Sequence, residues 1–190
     1  MHLRCSTFKK TFMKSILFFL CSTFLVSFNL SETDNFEIES GQVIWQKVYD
    51  TDLTKEQLIG QIKSSGNFES ISENGESLSA EIDQLSMDFK GYGVSEMSTP
   101  MYVSRSYVKA FALIEFKEER YRVTLKNIKF VQKYDDALSK EGETTDIELF
   151  ALKKRNTEFK SNFLNKPSKI MDFTFGKITD FNGVIKEDKW

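Results

Sequence analysis

Residues 107–117, YVKAFALIEFK, and residues 120–131, RYRVTLKNIKFV, decide the fold. Both alternate apolar with polar side chains at a period of two and are rich in aromatic and β-branched residues, so both read as strands. Only Glu118 and Glu119 separate them, which makes them a hairpin. A tight register sets residue 117 against 120 and sorts the two faces. One face gathers Val108, Ala110, Ala112, Ile114 and Phe116 with Tyr121, Val123 and Leu125, and is predicted to be core. The other gathers Tyr107, Lys109, Phe111, Leu113 and Glu115 with Arg120, Arg122, Thr124 and Lys126, and sets Glu115 opposite Arg122 as a cross-strand ion pair. That second face is either a ligand surface or a face half covered by the tail of the chain. The cover reading is favoured, because sheets commonly bury one face fully and part of the other. Tyr107, Phe111, Leu113, Arg122 and Thr124 are the candidate partner contacts.

Upstream, residues 42–49 (QVIWQKVY) read as a further strand. Thr54 and Gln57 have capping-box spacing, Leu53 and Leu58 occupy the staple positions, and Gly66 is a natural stop, so residues 55–65 are predicted to be a helix burying Leu58, Ile59 and Ile62. Residues 68–72 read as a short strand, Asn74-Gly75 as a hairpin turn, and Leu78, Ala80 and Ile82 as the inward side of the return strand. A one-residue slip near Asp83, the signature of a β-bulge, lets that strand continue through Leu85, Met87 and Phe89. Residues 90–104 form a long loop with Gly91, Gly93 and Pro100; it carries Tyr92, Met97, Met101 and Tyr102, and long loops are where function often sits.

Downstream, Thr145 and Glu148 repeat the capping-box spacing, and Leu149, Leu152, Phe159 and Phe163 recur at helical intervals, predicting a second helix to about Leu164 that Pro167 ends or interrupts. Residues 168–190 fit helix through Met171, Phe175 and Ile178 and strand through Phe173 and Phe175, before a turn at Asn182-Gly183. The order β-α-β-β-β-β-α implies an α+β fold: a twisted, mostly antiparallel sheet with its helices on one face. Residues 32–165 are read as one domain, and residues 166–190 as an extension that packs on it or is partly disordered.

The strand, capped helix, Asn-Gly hairpin and, above all, the run Arg120-Tyr121-Arg122-Val123-Thr124-Leu125-x-Asn127-Ile128 resemble the domain of unknown function with a TBP-like fold found in secreted and envelope proteins of Bacteroidetes. The resemblance spans residues 42–131 and implies an α+β fold and an exported protein; it implies no activity and no DNA binding. A tight turn before that strand would ordinarily contain glycine, where this chain has Glu119.

The ends of the chain bear on its chemistry. Residues 1–14 carry Arg4, Lys9, Lys10 and Lys14 without an acid, and residues 15–28 (SILFFLCSTFLVSF) are apolar and uncharged. A basic segment followed by an apolar run of 14 residues, short of the roughly 20 a spanning helix needs, reads as a cleaved signal peptide over residues 1–31, beginning at Met1 or Met13. Cys21 is preceded by Phe18, Phe19 and Leu20, where a lipid-acceptor cysteine wants a small neighbour, so it reads as part of the apolar run. His2, Cys5 and Cys21 are the protein's whole stock of imidazole and thiol. Their removal with the leader excludes a Ser-His-Asp triad, a cysteine nucleophile, disulfides and Cys/His metal sites.

The remaining 22 basic and 28 acidic residues give a formal charge of −6, a poor match to nucleic acid. The basic run Lys153-Lys154-Arg155 reads as a solvated helix face. The expectation is an exported, non-catalytic periplasmic or envelope module, with no cofactor, no metal and no membrane anchor in the mature chain. It would bind a protein, peptide or glycan. The alternative is a small glycosidase-like hydrolase using paired carboxylates, for which Glu81 with Asp83, or Glu115 with Glu118, are the candidates.

Overall fold

The computed structural model describes residues 35–135 and 139–182. The proposed leader with His2, Cys5 and Cys21, and the end of the chain from Gly183, lie outside the described residues. The strands are β1 (Phe36–Glu39), β2 (Gln42–Asp50), β3 (Glu69–Asn74), β4 (Ser77–Ser86), β5 (Ser106–Lys117), β6 (Arg120–Gln132) and β7 (Thr144–Asp146). The helices are α1 (Lys55–Ser64), α2 (Met101–Ser104), α3 (Ile147–Ala151), α4 (Ser161–Asn165) and α5 (Pro167–Thr179). One antiparallel sheet runs β1-β2-β6-β5-β4-β3, with β7 pairing the far end of β6. This is the α+β architecture that the order of elements implied.

The central hairpin forms as read. Lys117 faces Arg120, Glu115 faces Arg122, and the inward residues of both strands are buried. The tight turn survives without glycine because Glu119 takes a left-handed φ of 58°. Its carbonyl also accepts a hydrogen bond from the Thr51 amide at 2.9 Å, which ties the turn to the neighbouring connection. The α1 cap forms in both directions: the Gln57 amide donates to Thr54 Oγ1, and the Thr54 amide donates to Gln57 Oε1. The β4 slip falls between Ile82 and Leu85, at Gln84 with φ 54°. A second bulge, absent from the sequence reading, lies in β6 at Asn127, φ 52°, so that Ile128 and Phe130 return to the core side. Asparagine is among the few residues that tolerate this conformation.

Several expectations are corrected. A strand precedes residue 42: β1 joins β2 through Ser40 and Gly41, both at positive φ as a two-residue hairpin turn requires. The second helix does not run from residue 145 to 164. Thr144–Asp146 is strand, α3 ends at Ala151, and Leu152 bridges to Phe159 across a turn holding Arg155 and Asn156 at positive φ. The six residues 153–158 are all polar, so a helix there would bury nothing through nearly two turns, and the chain folds back. The Thr145 capping box is therefore not made, and Lys153-Lys154-Arg155 sits in that turn, with Lys153 paired to Glu158 at 2.6 Å. Pro167 does not only end a helix; it opens α5 at the first position, where a missing N–H costs nothing. The long loop 90–104 also carries structure of its own, a 3₁₀ turn at Glu96–Ser98 followed by α2.

Residues 167–179 are helix, and that helix lies on the core face of the sheet. Ile170, Met171 and Phe175 of α5 are fully buried. Phe175 packs edge-on against Trp45 and lies near Phe36, while Phe163 of α4 packs edge-on against Phe36. Leu58, Ile59 and Ile62 of α1, Val103 of α2 and Ile147 of α3 join the same core as the inward residues of β4, β5 and β6. The covering layer therefore stands on one side of the sheet.

Candidate binding face

The other side of the sheet carries the five residues singled out from sequence. The expectation that the tail half covers it is corrected: as far as the described residues go, the tail helix lies on the opposite face. Along β5, Tyr107, Phe111, Leu113 and Glu115 point to this open side, the span from Tyr107 to Glu115 being eight residues or about 26 Å. Across it, β6 contributes Arg122, Thr124 and Lys126, and β2 contributes Ile44, Gln46 and Val48.

Long charged side chains roof this surface in place of a helix. Arg122 donates from Nε and Nη2 to Glu115 Oε2 at 2.8 and 2.6 Å. Lys126 reaches Glu39 at 2.8 Å, and Lys109 stands 3.8 Å from Asp83. These pairs are half exposed, so each contributes little to stability; their aliphatic stems shield the apolar floor. Thr124 is only 2% exposed and accepts a hydrogen bond from Gln46 Nε2 at 3.0 Å. It supports the floor instead of presenting itself to a partner. Phe111 is 38% exposed and Val48 53%, the latter missed from sequence although its alternation with Tyr49 signals an outward position. Tyr107 lies at the far end of the row under the Lys133 ammonium, 4.6 Å from its ring centre, and so does not share one spot with Arg122.

Two shallow depressions meet at the Glu115–Arg122 pair. One, of about 470 Å³, has Ile44, Leu113 and Thr124 among its lining; the other, of about 440 Å³, includes Val48, Lys117 and Arg120. Both fall within the rough 300–1,000 Å³ range of ligand sites.

The carboxylate pairs weighed for hydrolysis do not assemble as an acid and a nucleophile. Glu115 and Glu118 share the second depression, yet Glu115 is held by Arg122 and Glu118 is exposed in the turn. Neither has the apolar surroundings that suit a general acid. Glu81 is exposed, and Asp83 faces Lys109. Asp172 and Asp180 line a groove beside α5, about two helical turns apart along the chain. Among the described residues no group of three or more His, Cys, Asp or Glu side chains could hold a metal ion, and no helix is long and apolar enough to cross a membrane.

Sheet, one-sided helical layer and open face define an antiparallel α+β domain. Two solved structures are similar to it. One is a DUF4468 family protein from Bacteroides ovatus ATCC 8483, at 15% identity and a TM-score of 0.47 over 78% of this chain and 91% of that one. The other is a TBP-like protein from Parabacteroides distasonis ATCC 8503, at 13% identity and a TM-score of 0.46 over 77% and 96%. No family model and no curated protein matches the chain.

Proposed function

We propose that the protein is an exported, non-catalytic binding module of the periplasm or cell envelope that docks a protein partner on the helix-free face of its sheet. The observation that carries this reading is the position of Phe111, Leu113 and Val48. Phe111 and Leu113 neighbour each other along β5 on a face that no described helix covers, flanked by the Glu115–Arg122 and Lys126–Glu39 pairs, with Val48 beyond Arg122 on β2. An apolar centre inside a charged rim is the ordinary anatomy of an interface.

Substituting Phe111→Ser and Leu113→Ser together tests it. Both side chains are partly exposed and lie outside the main core, so the pair should cost about 1 kcal/mol of stability or less. Crosslinked capture from the protein's own cell envelope should yield a partner with the wild type and lose it with the variant, at a nearly unchanged melting temperature. Equal capture by both proteins, or a strongly lowered melting temperature, refutes the docking face.

Export has its own test. The basic segment and 14-residue apolar run support it, and N-terminal sequencing of protein recovered from the envelope fraction should begin within a few residues of Ser31. Recovery of the full leader on a cytoplasmic protein overturns that part of the reading.

A further inference from the structure

We propose that the groove along the outer side of α5, bounded by Lys47 of β2 and by Tyr92, binds a neutral oligosaccharide. It stands on the helical layer, opposite the sheet face discussed above, and does not depend on it. The groove has a volume of about 700 Å³ and is open along its length, which suits a chain polymer better than an enclosed small molecule.

Three features point to sugar. The first is apolar. Tyr92 and Phe173 are each 37% exposed and pack against each other, with ring centres 5.8 Å apart and planes inclined at 59°. Exposed π faces carry negative quadrupole density, and the C–H face of a pyranose presents polarised hydrogens to it.

The second is a clamped acceptor. Trp45 Nε1 and Asn35 Nδ2 both donate to Oδ1 of Asp172, each at 2.7 Å. Its Oδ2 has no donor among the described residues, so one carboxylate oxygen is held in place with its lone pairs uncommitted. Such an oxygen accepts a hydroxyl without first losing side-chain entropy.

The third is a balance of charge. Lys47 lies over the Tyr49 ring, 5.1 Å from its centre, and Gly176 leaves room for it, since a Cβ there would stand 3.3 Å from the ammonium. Lys47 and Lys169 have no carboxylate partner among the described residues, whereas Lys177 is paired with Asp88 at 2.8 Å. Lys47 and Lys169 line the groove together with Asp172 and Asp180, which leaves it near neutrality. That selects against strong anions and cations, and it offers the mixture of donors and acceptors that a polyol uses.

The test is titration of the mature chain with cellohexaose, maltohexaose and xylohexaose, with hexagalacturonate as charged counterpart, followed by amide and aromatic NMR shifts. At least one neutral hexaose should bind saturably at or below about 1 mM and shift the signals of Tyr92 and Phe173. The Tyr92→Ala, Phe173→Ala double variant should weaken it at least tenfold, a loss of about 1.4 kcal/mol. Asp172→Asn should weaken it as well while leaving the fold intact, because the asparagine oxygen still accepts from Trp45. Failure of all three neutral sugars, tighter binding of hexagalacturonate, or undiminished affinity in the double variant each overturns the proposal. Shifts confined to the sheet face would do the same.

Discussion

Phe175→Ala should cost about 3–5 kcal/mol, lowering the urea midpoint by roughly 1–3 M. The side chain is fully buried in α5, packed edge-on to Trp45 and inclined against Phe36. Those two rings come from β2 and β1, so the phenylalanine joins the last helix to the first hairpin of the sheet. Truncation removes the transfer free energy of a ring and leaves a cavity between rigid neighbours that relax only in part. Domains of this size have a total stability of about 5–15 kcal/mol, so one substitution consumes a large share of it. The contrast with Phe111→Ser is the informative part: two phenylalanines, one beneath the helical layer and one on the open face, should differ by several kcal/mol. Equal costs would mean that α5 does not hold its place in the core.

The difference in legibility between parts of the fold follows from how local each signal is. The hairpin at residues 107–131 and the capped helix α1 are written in neighbouring residues: the alternation, the Thr54–Gln57 pair and the staple leucines each determine their own geometry. The pairing of Glu115 with Arg122 follows from register alone, and it forms at 2.6 Å. Elements decided by distant packing were not legible. Leu152 and Phe159 sit at helical spacing, yet they face each other across a bridge because nothing between them has a surface to bury. Residues 167–179 fit helix and strand equally by period; what selects helix is the cavity offered by Trp45, Tyr49 and Tyr121, and these lie far away in sequence.

The site shows the same division. Phe111 and Leu113 were readable from alternation. The groove beside α5 combines Lys47, Tyr92 and Asp172 from three separate segments, and no spacing rule links them. A signal for β1 was present, Ser40-Gly41 between Phe36-x-Ile38 and Val43-x-Trp45, but it was short and lay close to the apolar run of residues 15–28.

Raising the pH above about 10 should unfold the protein steeply, because three tyrosines hold their protons more tightly in the native state than in the unfolded chain. Burial pushes the phenols of Tyr49, Tyr102 and Tyr121 well above the ordinary tyrosine value, by desolvation in each case. Nearby Asp180 adds to this for Tyr49 and Tyr121, while the hydrogen bond between the Tyr49 and Thr179 hydroxyls and that from the Phe181 amide to Tyr121 act the other way. Tyr121 also donates to the Thr179 carbonyl at 3.0 Å, a bond the phenolate cannot make.

The sign follows from proton counting. Below about pH 10 both states carry the phenolic protons, and the tyrosines add no pH dependence. Above it the unfolded chain loses them first, the native state binds more protons, and stability falls as pH rises. Each tyrosine contributes a slope of about 1.4 kcal/mol per pH unit, so three together give about 4 kcal/mol per unit. Lys133, whose proton is loosened by burial, works in the opposite direction, but only below the ordinary lysine value of about 10.5, so the tyrosine slope above that is untouched. Urea midpoints measured from pH 8 to 12 should stay level and then drop. Tyr102→Phe should shallow the drop by about a third at little cost near neutrality, since among the described residues no hydrogen bond to the Tyr102 hydroxyl is lost. A midpoint that holds steady through this range would mean that water reaches these rings and that the end of α5 does not seal the core around Tyr49 and Tyr121.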